Sequence, residues 1–284
     1  MTKLVDGKKI ADEILQELRI KIQESGLSLK LAVVLVGGNP ASLSYIKMKQ
    51  KRAEEIGIQV EIFRYRIEMT QAELIAEIKQ INSEPSVSGI LVQLPLPEHL
   101  NRDEVLNAVD PQKDVDCLTE TNKQRLNTAL AVPLPPAAAA VLKILEYYQI
   151  DLRDKQVLVI GEGDLIGKPL AGLLKNQGIK FVVANRQTPD LPKIAIGADV
   201  IVTGTGKANL LTGDMVKQGA TVIDAGTTGA EDGAVVGDVD TESVARKAGV
   251  LAAVPGGVGP VTVSMLFANV LKSAASRGRD LTGD

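Results

Sequence analysis

The sequence predicts an α/β protein of two domains, each an open, largely parallel sheet covered by helices. Three observations predict it. In both halves of the chain, short runs of β-branched and aliphatic residues alternate with helix-length stretches, the pattern of strands joined by crossover helices. The 284 residues are enough for two domains of roughly 100–200 residues each. Between the two alternating runs, TNKQRLNTALAVPLPP (121–136) loses the rhythm and is rich in turn-forming residues. It reads as a linker dividing the chain into 1–120 and 121–284.

The elements follow in order. MTKLVDGKKIADEIL is amphipathic and lacks the longer apolar stretch of a signal peptide. LAVVLVG (31–37) is a buried strand ending in Gly37 and Gly38, and after Asn39 and Pro40 a helix runs to Gly57. IQVEIFRYR (58–66) is a strand. TQAELIAEIKQINS (70–83) is a helix with Thr70 as N-cap and Glu73 three residues on. GILVQLPLP (89–97) is a strand running into prolines, followed by a short helix at 102–109 and the loop DPQKDVDCL. Past the linker come a helix (137–149) and the strands QVLVI, KFVVAN, DVIVTG, ATVIDAG and LAAVP, with a final helix over 262–276 that is expected to pack back on the first domain.

Composition excludes several function classes. A net charge of −3 with scattered basic residues leaves no footprint for nucleic acid or an anionic membrane. Aromatics are 2% of the chain and Trp is absent, so base-stacking platforms are lacking and the core must be aliphatic. One cysteine, Cys117, fits a reducing compartment. With His99 the one histidine, a zinc site or a Ser-His-Asp triad lacks material, and no metal is expected. No apolar run approaches the ~20 residues that span a bilayer. A cytoplasmic protein is expected.

Two clusters carry chemistry. In VLVIGEGDLIGKP (157–169), glycines at 161, 163 and 167 are spaced one residue wider than the common dinucleotide fingerprint. The setting, a strand before and Pro169 in the first helical turn, suits an anion at a helix N-terminus. A tight turn without a ligand fits equally. Where an NAD site usually has Asp or Glu, about 20 residues past the glycines, the chain has Asn185, Arg186 and Gln187. A guanidinium there suits a 2′-phosphate, or is an exposed loop arginine. In the first half, Ser42, Tyr45 and Lys49 share a helix face. Gln93 ends a strand at the sheet's C-terminal edge, and KDVD brings Asp114 and Asp116 to the same edge. An amine, an amide, a phenol and a carboxylate could converge there. A solvated basic face (Lys47, Lys49, Lys51, Arg52) is the alternative.

PASLSYIKMKQKRAEEIGI, GILVQLPLP, KDVD, VVGDV and VPGGVGPVTVSML (254–266) resemble bifunctional methylenetetrahydrofolate dehydrogenase/methenyltetrahydrofolate cyclohydrolase, the FolD family, from about residue 2 to 273. The resemblance implies an N-terminal folate-binding catalytic domain and a C-terminal Rossmann-like dinucleotide-binding domain with a cleft between them. It implies oxidation of 5,10-methylenetetrahydrofolate by NADP, with NAD as the alternative, then hydrolysis to 10-formyltetrahydrofolate by a homodimer. It makes Lys49 the catalytic group, tuned by Gln93, with Tyr45 on the pterin and Asp116 on the pterin's amino edge. Ser42, Leu94, Pro95, Pro255, Gly256, Gly257, Pro260 and Thr262 complete the folate site. Gly161, Glu162, Gly163, Ile166, Gly167, Arg186, Thr205, Gly206, Asp224, Gly226, Thr227, Gly256 and Val258 hold the cofactor.

The chain departs from the family pattern at instructive places. Glu162 stands where an arginine usually holds the 2′-phosphate, and at about 4 Å a carboxylate repels a phosphate by ~1 kcal/mol or more. The positive charge moves to Arg186, or the cofactor is NAD with Glu162 on its ribose. The usual Pro-Cys-Thr-Pro-x-Gly is Pro133-Leu134-Pro135-Pro136-Ala137-Ala138, Cys117 replaces a glycine after Asp116, and Gln124 replaces another after Asn122. Three alternatives stand beside the bifunctional enzyme. They are a cyclohydrolase with little dehydrogenase activity, a non-catalytic folate- or nucleotide-binding protein, and an unrelated oxidoreductase of similar layout such as a shikimate dehydrogenase.

Overall fold

A computed structural model describes residues 1–38, 40–126, 133–229 and 235–282, with the side chains of 40–42, 44 and 278–282 outside that description. Asn39 and residues 127–132 of the expected linker therefore lie outside the described residues. The elements are β1 (Lys3–Leu4), α1 (Gly7–Ser25), β2 (Leu29–Val36), α2 (Pro40–Glu54), β3 (Ile58–Tyr65), α3 (Gln71–Ser83), β4 (Gly89–Val92), α4 (Arg102–Asn107), α5 (Glu120–Leu126) and α6 (Pro136–Tyr147). They continue as β5 (Val157–Ile160), α7 (Gly167–Asn176), β6 (Phe181–Ala184), α8 (Leu191–Ala195), β7 (Val200–Thr203), β8 (Thr221–Asp224), β9 (Thr228–Gly229), β10 (Val235–Val236), α9 (Thr241–Ala245), β11 (Val250–Ala252) and α10 (Val258–Thr282).

The chain divides into two compact units. One takes Ile14–Arg125 and α10 from Leu266 onward. Its sheet has the order β3-β2-β4, with every pairing parallel. The central strand β2 is buried except at Lys30, hence its aliphatic run from Leu31 to Val36, whereas β3 at the edge alternates. Thr70 and Glu73 form the expected capping box on α3. β4 stops at Val92, short of the predicted 97. Its outer edge is covered by residues 113–114, with the Ile90 N–H donating to the Lys113 carbonyl. Where the sequence reads as linker, residues 120–126 are helical. The buried Asp114 carboxylate accepts from the Leu118 and Thr119 N–H groups, the Thr119 hydroxyl and the Asn122 amide, so an anchor just ahead of the helix starts it where composition hides it.

The other unit takes Met1–Glu13 and Pro135–Met265. Its sheet, ordered β1-β11-β8-β7-β5-β6, is parallel throughout. Pairing of Lys3 with Val250 places the N-terminal residues here, not with the first 120. That strand and the β9–β10 hairpin are too short for a periodicity signal. The prolines of the altered linker cost little. Pro135 is the N-cap of α6 and Pro136 its first residue, positions whose N–H has no helical partner.

Helix α10 starts four residues before its predicted start, with Pro260 in its first turn. Val258–Arg277 is long and apolar enough to cross a membrane by length and composition, but half of that window is buried within the protein. The Asn269 amide donates to the Val115 and Leu134 carbonyls, and the Ser273 hydroxyl to those of Ser88 and Gln112. It is a core helix, and its later turns belong with the β3-β2-β4 unit.

Candidate active site

Lys49 lies on α2 and Gln93 one residue past β4, where its N–H still pairs with the Val34 carbonyl. The Lys49 ammonium donates to the Gln93 Oε1 at 3.2 Å, and the Gln93 Nε2 donates to the Leu94 carbonyl at 2.7 Å, which turns the amide oxygen toward the lysine. Burial lowers the proton affinity of Lys49, opposed by the negative charge of Asp116. Burial likewise lifts Asp116 to about 6, opposed by Lys49 and reinforced by Asp114. Each group is pushed toward its neutral form, which favours a free amine. Tyr45, one turn before Lys49, keeps 42% of its surface exposed, available to a flat ligand. Leu94 is half-buried against the core and Pro95 is exposed, joined by a cis bond. The Ser42 side chain lies outside the described residues.

The KDVD run sends its four side chains to four destinations. Lys113 is buried and donates to the Asn82 and Glu84 carbonyls at the end of α3. Asp114 anchors α5, and Val115 packs where a side chain on Gly89 would overlap it. Asp116 is left for the site. Cys117 adopts φ 60, the left-handed conformation that explains the family's glycine. Its thiol is buried, donates to the Pro133 carbonyl at 3.5 Å and is pushed up to about 12 by burial and by Asp114 and Asp116, so it is no nucleophile. Gln124 sits on α5, its amide donating to Glu120.

In the other unit, the chain leaves β5 for β6 on one side and returns to β7 on the other, so the strand order reverses at the C-terminal ends of β5 and β7. Open parallel sheets take their ligands at such a crevice. Three glycines build it. Gly161 has φ 111, and a Cβ there would come within 2.6 Å of the Gly204 carbonyl. A Cβ on Gly167 would overlap the Gly161 carbonyl, and one on Gly204 would press on Ile166. Those contacts account for glycine at 161 and 167 by packing alone. Gly163 differs, being exposed with only an ordinary contact, the Gly204 carbonyl at 3.8 Å, for an added Cβ, and Gly206 and Thr227 are exposed at the ends of the neighbouring strands. Backbone of this kind without obstructing side chains fits a dinucleotide.

Glu162 is exposed on this loop, its Oε2 accepting from the Asn185 amide at 2.9 Å, while Asp164 pairs with Lys168. Arg186 is exposed beside Asn185. Thr205 is half-buried and Gly226 buried. Pro255 and Gly256 are exposed. The Gly7 N–H donates to the Gly256 carbonyl, and a side chain at Gly7 would overlap the Gly257 carbonyl. Sequence reasoning missed Gly7. Thr262 bonds back to the Val258 carbonyl at 3.1 Å.

Two of the expected cofactor residues have side chains occupied within the protein: Asp224 is fully buried and its carboxylate is engaged by protein donors, and the Val258 side chain lies in the core.

Comparisons with known proteins match both units. Residues 5–116 match the tetrahydrofolate dehydrogenase/cyclohydrolase catalytic domain, and residues 135–278 match the NAD(P)-binding domain of that family. The bifunctional protein FolD of Nautilia profundicola is 41% identical over 98% of this chain and 99% of its own length. The crystal structure of the bifunctional FolD dehydrogenase/cyclohydrolase of Campylobacter jejuni is 42% identical, with a TM-score of 0.93 over 98% of this chain and 100% of that one. The Trypanosoma brucei dehydrogenase-cyclohydrolase, complexed with NADP cofactor and inhibitor, is 33% identical, with a TM-score of 0.92 over 98% of this chain and 99% of that one. The chain belongs to the tetrahydrofolate dehydrogenase/cyclohydrolase family.

Proposed function

We propose that the residues of this bifunctional methylenetetrahydrofolate dehydrogenase and methenyltetrahydrofolate cyclohydrolase divide its two reactions between them. In the hydrolytic step, neutral Lys49 takes a proton from water as the water oxygen bonds to the methenyl carbon. It returns that proton to the ring nitrogen as the carbon–nitrogen bond breaks, and the added hydroxyl releases its own proton to solvent as it becomes the formyl carbonyl, giving 10-formyltetrahydrofolate. Gln93 holds the amine in place, Tyr45 stacks on the pterin, and Asp116 accepts from the pterin's amino edge. The observation that carries this reading is the Lys49–Gln93 hydrogen bond beside Asp116, with burial holding the amine's proton affinity down.

The sign of the electrostatics gives the test. Asp116 raises the Lys49 proton affinity, so Asp116→Asn lets it fall further. The rising limb of the cyclohydrolase pH profile is then expected to move to lower pH, with a higher KM for the folate. A limb that stays in place or moves to higher pH contradicts Lys49 as the base.

A bound nicotinamide supplies the hydride acceptor for the oxidative step. The chain's part is placement, by the backbone of residues 161–167, 204–207 and 226–227. We assign NADP as the cofactor, with Arg186 drawing the 2′-phosphate and Glu162 opposing it. Asn185 fixes that carboxylate without neutralising it. Arg186→Ala is expected to raise the KM for NADP and leave that for NAD unchanged. Glu162→Gln is expected to improve NADP use by about fivefold, the equivalent of ~1 kcal/mol. NADP kinetics untouched by the arginine change would leave NAD, bound through Glu162, as the better reading. A cytoplasmic homodimer completes the proposal, on family grounds.

A further inference from the structure

The VVGDV run carries part of the family resemblance, yet nothing so far gives it a role. Its aspartate, Asp238, is 0% exposed, as is Asp224 at the end of β8. Two buried carboxylates side by side are costly unless each is fully hydrogen-bonded. Here both are. The Asp238 Oδ2 accepts from the Thr205 N–H at 2.6 Å and the Thr205 hydroxyl at 2.9 Å, and its Oδ1 accepts from the Lys207 N–H at 3.0 Å. The Asp224 Oδ1 accepts from the Thr203 hydroxyl and from the N–H groups of Gly226 and Asp238, and its Oδ2 accepts from the Val239 N–H.

The packing is reciprocal. A Cβ on Gly226, two residues after Asp224, would overlap the Asp238 carboxylate. A Cβ on Gly237, just before Asp238, would overlap the Asp224 carboxylate. Each acid thus lies against a glycine beside the other. The surrounding backbone is pinned as well, Leu211 donating to the Asp238 carbonyl and Asn209 to that of Gly237.

The backbone groups held this way belong to residues 205–207 and 226, which follow β7 and β8 at the C-terminal edge of the sheet. We propose that Asp238 and Asp224 form a buried lock that shapes the two cofactor loops, and that Asp238 is a positioning residue of the dehydrogenase half alone. This rests on the dinucleotide reading of that edge. The acid has to be a carboxylate. Donors meet both oxygens of Asp238, so an amide would turn its NH₂ on either the Thr205 or the Lys207 N–H.

The test uses the full chain, wild type and Asp238→Asn, with three readouts. NADP dissociation constants come from calorimetry, amide exchange is followed at residues 205–207 without cofactor, and methenyltetrahydrofolate hydrolysis is assayed without cofactor. The variant is expected to bind NADP ~10-fold or more weakly and to exchange faster at 205–207, with hydrolysis within about twofold of wild type. Unchanged NADP binding, or hydrolysis falling in proportion, overturns the lock. A wild-type chain that binds no dinucleotide overturns the proposed function and the lock together. If Asp238→Asn does not fold, Thr203→Val decides. It removes one buried donor to Asp224, and a several-fold loss of NADP binding with hydrolysis kept supports the lock, while unchanged binding overturns it.

Discussion

Replacing Lys49 with methionine is expected to lower methenyltetrahydrofolate hydrolysis by about 10²–10⁴-fold, the usual worth of a positioned general base. Methionine keeps most of the side chain's length and apolar stem, so α2 and its packing stay as they are. What disappears is the donor to Gln93 Oε1 and the amine whose proton affinity burial has lowered. Hydride transfer asks for placement and not for a base, so NADP-linked oxidation is expected to fall much less. The check is the absorbance decay of the methenyl compound in wild type and variant, with oxidation followed in parallel. Hydrolysis at the wild-type rate would remove Lys49 from the mechanism.

The largest expected loss of stability comes two residues from the site. Asp114→Ala leaves the Leu118 and Thr119 N–H groups, the Thr119 hydroxyl and the Asn122 amide without their acceptor, in a buried setting. At about 1–3 kcal/mol for each donor left unsatisfied, some of them recovering other partners, the cost is about 3 kcal/mol or more. That corresponds to a fall in melting temperature of roughly 6–12 °C for a unit of this size. Asp116→Asn, on the same loop, is expected to alter the pH profile and leave the melting temperature nearly unchanged. Thermal melts of the two variants side by side check the contrast. Equal melting temperatures for Asp114→Ala and wild type would contradict the anchor.

That contrast marks what the sequence could and could not say. Periodicity and turn residues located α2, α3, α4, α6, α7 and α10 and the longer strands of both sheets, because those signals are local. KDVD was legible as a loop bringing carboxylates to a sheet edge. Spacing could not tell Asp114 from Asp116. The difference lies in Thr119 and Asn122 folding back on Asp114, a contact between segments with no shared period. The same blindness hid α5, which Asp114 anchors, and β1, two residues long and paired with a strand from the far end of the chain. At the glycine turn, the strand-turn-helix setting suggested phosphate. Packing against the Gly204 and Gly161 carbonyls explains two of its three glycines, and the third is the one with room beside it. Glu162 and Asn185 were both visible as departures from the family. Their hydrogen bond was not, since it joins the ends of neighbouring strands.

Helix α10 begins beside the glycines of the dinucleotide unit and ends with Asn269 and Ser273 holding the backbone of the catalytic one. At the other terminus, β1 belongs to a sheet whose remaining strands lie beyond residue 150. A gene cut at the apparent midpoint would therefore yield a first half without its closing helix and a second half without its edge strand. Neither unit is a contiguous half of the chain. Recombination that exchanges one unit must keep both chain ends with the units they serve.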